Sequence, residues 1–257
     1  MMMVSSSPIV AIIPAGGVGA RAQVQGHTKP KQYREIHGKA MLLHSVEALL
    51  AHSAIKQVYI GVAADDEWIQ TIDLPEYCVV LPTGGATRAD TVLNTLKALP
   101  FNEETWVMVH DAARPGLPLD VLDRLIQTCV SQDIGGIVAL PVSDTVKRAQ
   151  SFKEGVASPS GGAVENNPSF TRLNDTDAIL IEQTISREGL WLAQTPQLFK
   201  KGLLIKALET ALSAGFEITD EASAIEFIQS PCCMVKGHWR NLKVTWADDF
   251  ELVEYFL

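Results

Sequence analysis

A doubly wound α/β domain on a mostly parallel sheet, with a protruding β-arm, is the fold class this sequence predicts. Three observations carry that prediction. Strand-length apolar runs alternate with amphipathic helix-length runs from residue 9 to residue 142, the rhythm of parallel strands joined by right-handed crossovers. The first apolar run ends in a cluster of glycines, and sheets of this kind hold their ligands outside the carboxyl ends of the strands. Past residue 142 the alternation stops, and two short β-type runs flank a stretch rich in Ser, Gly, Pro and Asn.

Taken in order, Ile9–Pro14 is the first strand, an unbroken apolar run. Met41–Leu50 has helical apolar spacing, and Gln57–Val62 reads as the second strand. A short helix is expected over Asp65–Ile72, then a third strand at Cys78–Leu81, stopped by Pro82-Thr83-Gly84-Gly85. Thr87-Arg88-Ala89-Asp90-Thr91 opens a helix running to Leu99, with a hydroxyl available to cap it. Thr105–His110 is a fourth strand ended by Asp111-Ala112-Ala113-Arg114-Pro115. A helix from Leu119 to near Val130 leads to a fifth strand, Gly136–Val142. Asp144–Ala149 and Asp177–Ile185 read as the two strands of the arm, which spans about residues 143–188; the composition of its tip, 151–176, resists a fixed fold. The main domain resumes at Leu190–Gln197, followed by a helix over Phe199–Ser213 and another after Thr219-Asp220-Glu221-Ala222. Met234–Lys236 and Asn241–Thr245 read as a strand pair before a closing helix from Ala247. With no internal repeat and no second domain-sized apolar unit, residues 1–257 read as one domain carrying an inserted arm.

The totals narrow the function. A hydrophobic fraction of 47% and a charged fraction of 20% are those of a soluble globular protein. A net charge of −9 argues against a surface that coats nucleic acid, which needs a basic field. Any anionic substrate must therefore be drawn by local cations. Cys78, Cys129, Cys232 and Cys233 have neither disulfide-framework nor metal spacing, and reduced thiols are expected. Met1–Pro8 lacks a basic n-region and Ile9–Ile13 is too short to span a bilayer, so no membrane association and a cytoplasmic location are expected.

The glycine cluster carries the chemistry. Gly16, Gly17 and Gly19 fall within four positions and are followed by Arg21, while Lys31 sits in Lys29-Pro30-Lys31-Gln32-Tyr33. Glycines let the backbone turn tightly and bring N–H groups close to an anion. A guanidinium and an ammonium nearby then supply the positive charge a polyphosphate needs. The Walker string Gly-x-x-x-x-Gly-Lys-Ser/Thr is absent. Gly17-Val18-Gly19-Ala20-Arg21-Ala22 fits a dinucleotide fingerprint, with Glu35 near the expected distance. That fingerprint must open a helix at once, and Gln23–Pro30, with Gly26 and Pro30 inside it, opposes one. A nucleotidyltransferase is favoured over a nicotinamide-dependent dehydrogenase, which stays open as the alternative from another class.

Eight strings in order then extend the reading over nearly the whole chain. They are Pro14–Arg21, Pro30–Tyr33, Gly85–Val92, His110–Pro115, Pro141–Lys147, Thr195-Pro196-Gln197, Thr219–Ala222 and Asn241–Thr245. In these the chain resembles the 2-C-methyl-D-erythritol 4-phosphate cytidylyltransferases of the non-mevalonate isoprenoid route. The resemblance implies a Rossmann-like nucleotidyltransferase fold and transfer of CMP from CTP to the phosphate of methylerythritol phosphate. It also implies release of pyrophosphate, with Mg²⁺ held mainly by the CTP phosphates and no metal-ligating residues of the chain, and a homodimer formed through the arm. By motif, Arg21, Lys31, Arg187 and Lys243 resemble the catalytic cations. Pro14, Ala15, Gly16, Gly17 and Gly19 resemble the triphosphate cradle, and Gly85, Arg88, Thr91 and Ala112 the rest of the nucleotide site. Asp111, Arg114, Thr145, Thr195 and Thr219 resemble substrate contacts, with Thr145 and Arg187 reaching a neighbouring subunit's site. The pentitol-phosphate (ribitol 5-phosphate) cytidylyltransferases share the first loop and the Pro-Lys-Gln string. His110-Asp111-Ala112-Ala113-Arg114-Pro115 favours methylerythritol phosphate over them. Two departures stand out: the 151–176 connection is longer than the family's usual one, and Trp246 replaces a more usual polar residue with no derivable role.

Overall fold

Strand β1 (Ile9–Pro14) has both faces buried and stands inside a seven-stranded sheet. In this computed structural model the residues described are 9–17, 29–150 and 178–257. Side chains alternate across a strand, and β1 shows the result. Ile9, Ala11 and Ile13 face one apolar cluster, while Val10 and Ile12 face another. The first cluster is closed by Leu42, Val46 and Leu49 of α1 (Met41–Leu50) and by Val121, Leu122, Leu125 and Ile126 of α3 (Leu119–Gln132). The second is closed by Val92 and Leu96 of α2 (Arg88–Ala98), Leu204 and Leu208 of α4 (Lys201–Ser213) and Ile225 of α5 (Glu221–Phe227). Helices thus cover both faces, the doubly wound arrangement.

Parallel pairs join β1 to β4 (Ile55–Gly61) and to β6 (Trp106–Val109), and β4 to β5 (Cys78–Leu81). At the other side β7 (Gly135–Pro141) pairs in parallel with β11 (Cys232–Lys236). Between the two groups lies β10 (Trp191–Lys200), antiparallel to β6, giving the order β11-β7-β10-β6-β1-β4-β5. A hairpin of β2 (Glu35–Ile36) and β3 (Lys39–Ala40) turns on His37 and Gly38, both with positive φ. It packs Ile36 with Met41, Val244 and Phe250, the last from α6 (Asp248–Glu254), in a small third cluster.

Three expectations are corrected. Phe199 lies in β10 opposite Val107, and α4 starts at Lys201, because its ring packs where a Cβ on Gly135 would come within 2.2 Å. Residues 65–72 form only a 3₁₀ turn, Trp68–Thr71, whose entry is held by Asp66 accepting from the N–H groups of Trp68 and Ile69. Asn241–Thr245 does not pair with β11; its polar groups are spent elsewhere. Arg114 donates to Asn241 O, and Val244 N–H donates to Ala113 O.

The described chain divides into two compact units, residues 1–140 with 193–257, and residues 141–192. In the second, β8 (Val146–Ala149) pairs antiparallel with β9 (Ile181–Ile185), the two arm strands in register Val146 to Ile185. The expected arm tip, 151–176, lies outside the described residues. Among the described residues, no helix is long and apolar enough to cross a membrane.

Candidate active site

A cavity of about 390 Å³ opens at the carboxyl ends of β1, β5 and β6, all within the first unit. Its walls are the loop Pro14–Gly17, Lys31 and Gln32, residues Gly85–Arg88 with Thr91, the turn Asp111–Ala113, and Lys243. The glycine loop is pressed against its neighbours. A Cβ on Gly16 would lie 3.0 Å from Gly84 Cα, and one on Gly84 would lie 2.8 Å from Ala63 Cα. Ala15 N–H continues the sheet by donating to Gly61 O at 2.7 Å. The Gln32 amide then donates to Ala15 O at 2.9 Å and Gly17 O at 3.0 Å. Both loop carbonyls are thereby occupied, and among the described residues the N–H groups of Gly16 and Gly17 have no acceptor. That is the polarity an anion cradle requires.

Lys31 is carried by a short 3₁₀ turn, Lys31–Tyr33, whose next two side chains are buried. The Tyr33 hydroxyl reaches Asp66 at 2.5 Å, which fixes the turn, and Lys31 Nζ donates to Val244 O at 2.6 Å. On the facing wall Thr87 caps α2 in a reciprocal box with Asp90. Thr91 accepts from Gly85 N–H at 3.0 Å and donates to Thr87 O at 3.1 Å, so its hydroxyl shapes the second loop.

Buried charges meet at Asp111. One carboxylate oxygen accepts from Arg88 Nε at 2.9 Å, and the other pairs with Lys243 Nζ at 2.8 Å and lies 3.7 Å from Arg114 Nε. Burial alone would raise the Asp111 pKa; Arg88, Lys243 and Arg114 together outweigh it and hold the group well below the usual carboxylate range. Arg88 turns its other edge to Glu221, with Nη1 and Nη2 at 2.7 and 3.1 Å from the two carboxylate oxygens.

Behind Asp111, His110 is wholly buried. Its Nε2 lies 3.1 Å from Arg114 O, an acceptor only, so Nε2 carries the proton. Its Nδ1 then accepts from the Thr195 hydroxyl at 3.0 Å, and that hydroxyl accepts from Asp111 N–H at 3.0 Å. Burial lowers the His110 pKa to about 4. As pH falls below about 6.5, the value in an unfolded chain, the unfolded state gains a proton that the folded state refuses. Stability attributable to His110 therefore declines between pH 6.5 and about 4 and levels off below. The decline is on the order of 3 kcal/mol. Urea melts across that window should fall more steeply for the native chain than for His110→Gln; equal slopes would contradict the assignment.

Comparison with known proteins adds the decisive finding. Residues 9–160 and 159–257 match the family model of 2-C-methyl-D-erythritol 4-phosphate cytidylyltransferase, IspD. The chain belongs to the IspD family. A cytidylyltransferase of that name from Bordetella pertussis is 44% identical over 255 residues, 98% of this chain and 100% of the relative. One from Vibrio vulnificus is 39% identical over 256 residues, covering 98% of this chain and 96% of that protein. A crystal structure of a 4-diphosphocytidyl-2C-methyl-D-erythritol synthase superposes with a TM-score of 0.75 at 34% identity, over 97% of this chain and 99% of that one. Nothing in these comparisons favours the pentitol-phosphate or nicotinamide alternatives.

The IspD-like positions do not all reach the cavity. Pro14, Ala15, Gly16, Gly17, Lys31, Gly85, Arg88, Thr91, Asp111, Ala112 and Lys243 line it. Arg114 does not: it is buried, with Nη1 on Asn241 O at 2.7 Å and Nη2 on Ala193 O at 3.5 Å, and it braces the turn after β6. Thr195 is likewise buried, tied to Asp111 and His110 rather than standing in a wall. Thr219 is exposed ahead of α5, its N–H on Ser223 Oγ at 3.2 Å. Thr145 and Arg187 belong to the second unit and are exposed there, with Arg187 donating to Ser143 O. Gly19 and Arg21 lie outside the described residues. The Trp246 indole is exposed, and nothing in the structure explains it. Sequence reasoning missed Gln32 and Glu221 as parts of the site. Gln32 had a signal, its place directly after Lys31; Glu221 had only the string around it.

Proposed function

We propose that the chain transfers CMP from CTP to the phosphate of 2-C-methyl-D-erythritol 4-phosphate. A phosphate oxygen of the acceptor attacks the α-phosphorus, the bond to the β-phosphate oxygen breaks, and pyrophosphate leaves. Because the nucleophile is already an anion, the chain need supply neither a serine nor a general base. Its task is to bring two anions together and stabilise charge that develops around phosphorus. The observation that carries this reading is the placement of Lys31 and Lys243 in the same cavity as the N–H groups of the glycine loop.

The metal enters this proposal only through the nucleotide. Among the described residues no group of three or more His, Cys, Asp and Glu side chains is placed to hold an ion. Asp111 is the one carboxylate among the described residues lining the cavity, and both of its oxygens are engaged by cationic side chains. That does not make a protein-held Mg²⁺ centre, and the ion would arrive on the triphosphate, whose oxygens it prefers. A homodimer through the arm is also part of the reading. Ile181 and Leu192 of the second unit are 64% and 60% exposed, apolar surface that a second copy would cover. All four cysteines are free thiols, which fits a cytoplasmic location.

The test is pyrophosphate release with each of the four nucleoside triphosphates, using methylerythritol phosphate or ribitol 5-phosphate as acceptor. CTP with methylerythritol phosphate should turn over at least tenfold faster than any other pair. Equal turnover of ribitol phosphate would assign the chain to the pentitol-phosphate reaction instead.

A further inference from the structure

A site for two anionic substrates contains a buried carboxylate, Glu221, 1% exposed, that does not line the cavity. Its position is rigidly set. Asp220 caps α5 by accepting from Ser223 N–H at 2.9 Å, and Gln197 of β10 grips the same turn. The Gln197 amide donates to Asp220 at 2.8 Å, and its oxygen accepts from Ala222 N–H at 2.9 Å. The carboxylate so placed takes both ends of the Arg88 fork. A guanidinium is planar, so fixing its fork also fixes the direction of Nε. Here Nε points at Asp111, and the other oxygen of Asp111 holds Lys243. The result is a row of alternating charge, Glu221, Arg88, Asp111, Lys243, drawn from α5, α2, the end of β6 and the segment after Asn241.

Resting on the transfer reaction proposed above, we infer that Glu221 is a positioning residue for it. By occupying the fork of Arg88 it keeps that guanidinium off the substrate phosphates and on Asp111, which in turn stations the Lys243 ammonium in the cavity. An Arg88 without Glu221 would turn its fork to the strongest anion within reach, either Asp111 or a bound phosphate. In both cases Lys243 loses its fixed place.

The experiment compares Glu221→Gln, Glu221→Asp and the double variant Arg88→Gln with Glu221→Gln, which leaves no unpaired charge from this pair. Steady-state kinetics and the NMR signal of the Lys243 side chain without substrate are measured for each. Glu221→Gln should lower kcat at least tenfold with KM for CTP within about twofold, and should shift the Lys243 signal. Glu221→Asp, which keeps the charge but withdraws it by one methylene, should fold and fall between the two in kcat. The double variant should be no more active than Glu221→Gln. Native kcat in folded Glu221→Gln or in the double variant, whatever the melting temperature, would overturn the inference. So would a Lys243 signal unmoved in both single variants. Because that signal is read without substrate, an enzyme acting on other substrates would be told apart from a Glu221 that positions nothing.

Discussion

Lys31→Ala should lower kcat/KM for pyrophosphate release by 10²–10³-fold, about 3 kcal/mol of transition-state stabilisation, the scale set by deleting one oxyanion donor. The ammonium is held in place at two levels. The buried Gln32 and Tyr33 anchor its turn, and Val244 O accepts from its Nζ. Such a preset cation needs no reorganisation as charge develops on the transferred phosphoryl group. The fold should survive, because Lys31 is only partly buried and the anchoring side chains are untouched. CTP affinity, measured by calorimetry, should weaken less than turnover. Affinity lost with turnover intact would mean that the ammonium only binds nucleotide.

The second large effect is on stability. Asp111→Asn should cost about 3–5 kcal/mol at pH 7, since removing one member of a buried ion pair strands its partners. The group most affected is Arg114, 8% exposed and left facing no carboxylate among the described residues. Arg88 keeps the Glu221 carboxylate but loses the acceptor of its buried Nε, and Lys243 turns to solvent. The pH dependence has a definite sign. The folded-state pKa of Asp111 is depressed, so its contribution is complete above the unfolded value of about 3.9 and is lost as pH falls through the lower folded value. The gap between native chain and variant should therefore hold from neutrality down to about pH 4 and narrow only in stronger acid. That window lies below the one in which His110 acts. Chemical denaturation at pH 7 and near pH 2 checks both limbs, and a gap under 1 kcal/mol at pH 7 would contradict the account.

Much of this architecture is legible in the chain because it is local. The two-sided apolar run of β1, the spacing of Met41–Leu50 and the cap at Thr87 each announce themselves within a few residues. The lining positions were accessible for the same reason, since the glycine loop and the turn at Asp111 follow strands directly. What stayed hidden depends on partners far away in sequence. Glu221 and Arg88 are 133 positions apart, so no spacing rule links them. Asn241–Thr245 has strand-like residues, yet its backbone serves Arg114, Lys31 and Ala113 instead of a ladder. Arg114 resembles a substrate contact through the His110–Pro115 string, and its burial against Asn241 O and Ala193 O depends on two segments remote in sequence that the string does not contain.

The bond from Lys31 to Val244 and the pair of Lys243 with Asp111 have a bearing on biosynthesis. Both fasten earlier parts of the polypeptide, Lys31 and Asp111, to a segment made much later, Lys243 and Val244. A nascent chain halted before residue 243 can assemble most of its sheet, but it lacks the final ammonium and the carbonyl that steadies the earlier one. Competence to handle nucleotide should thus arise only once residues 243 and 244 have been made and folded back, and variants lacking residues 241–257 should lose it while keeping much of their secondary structure.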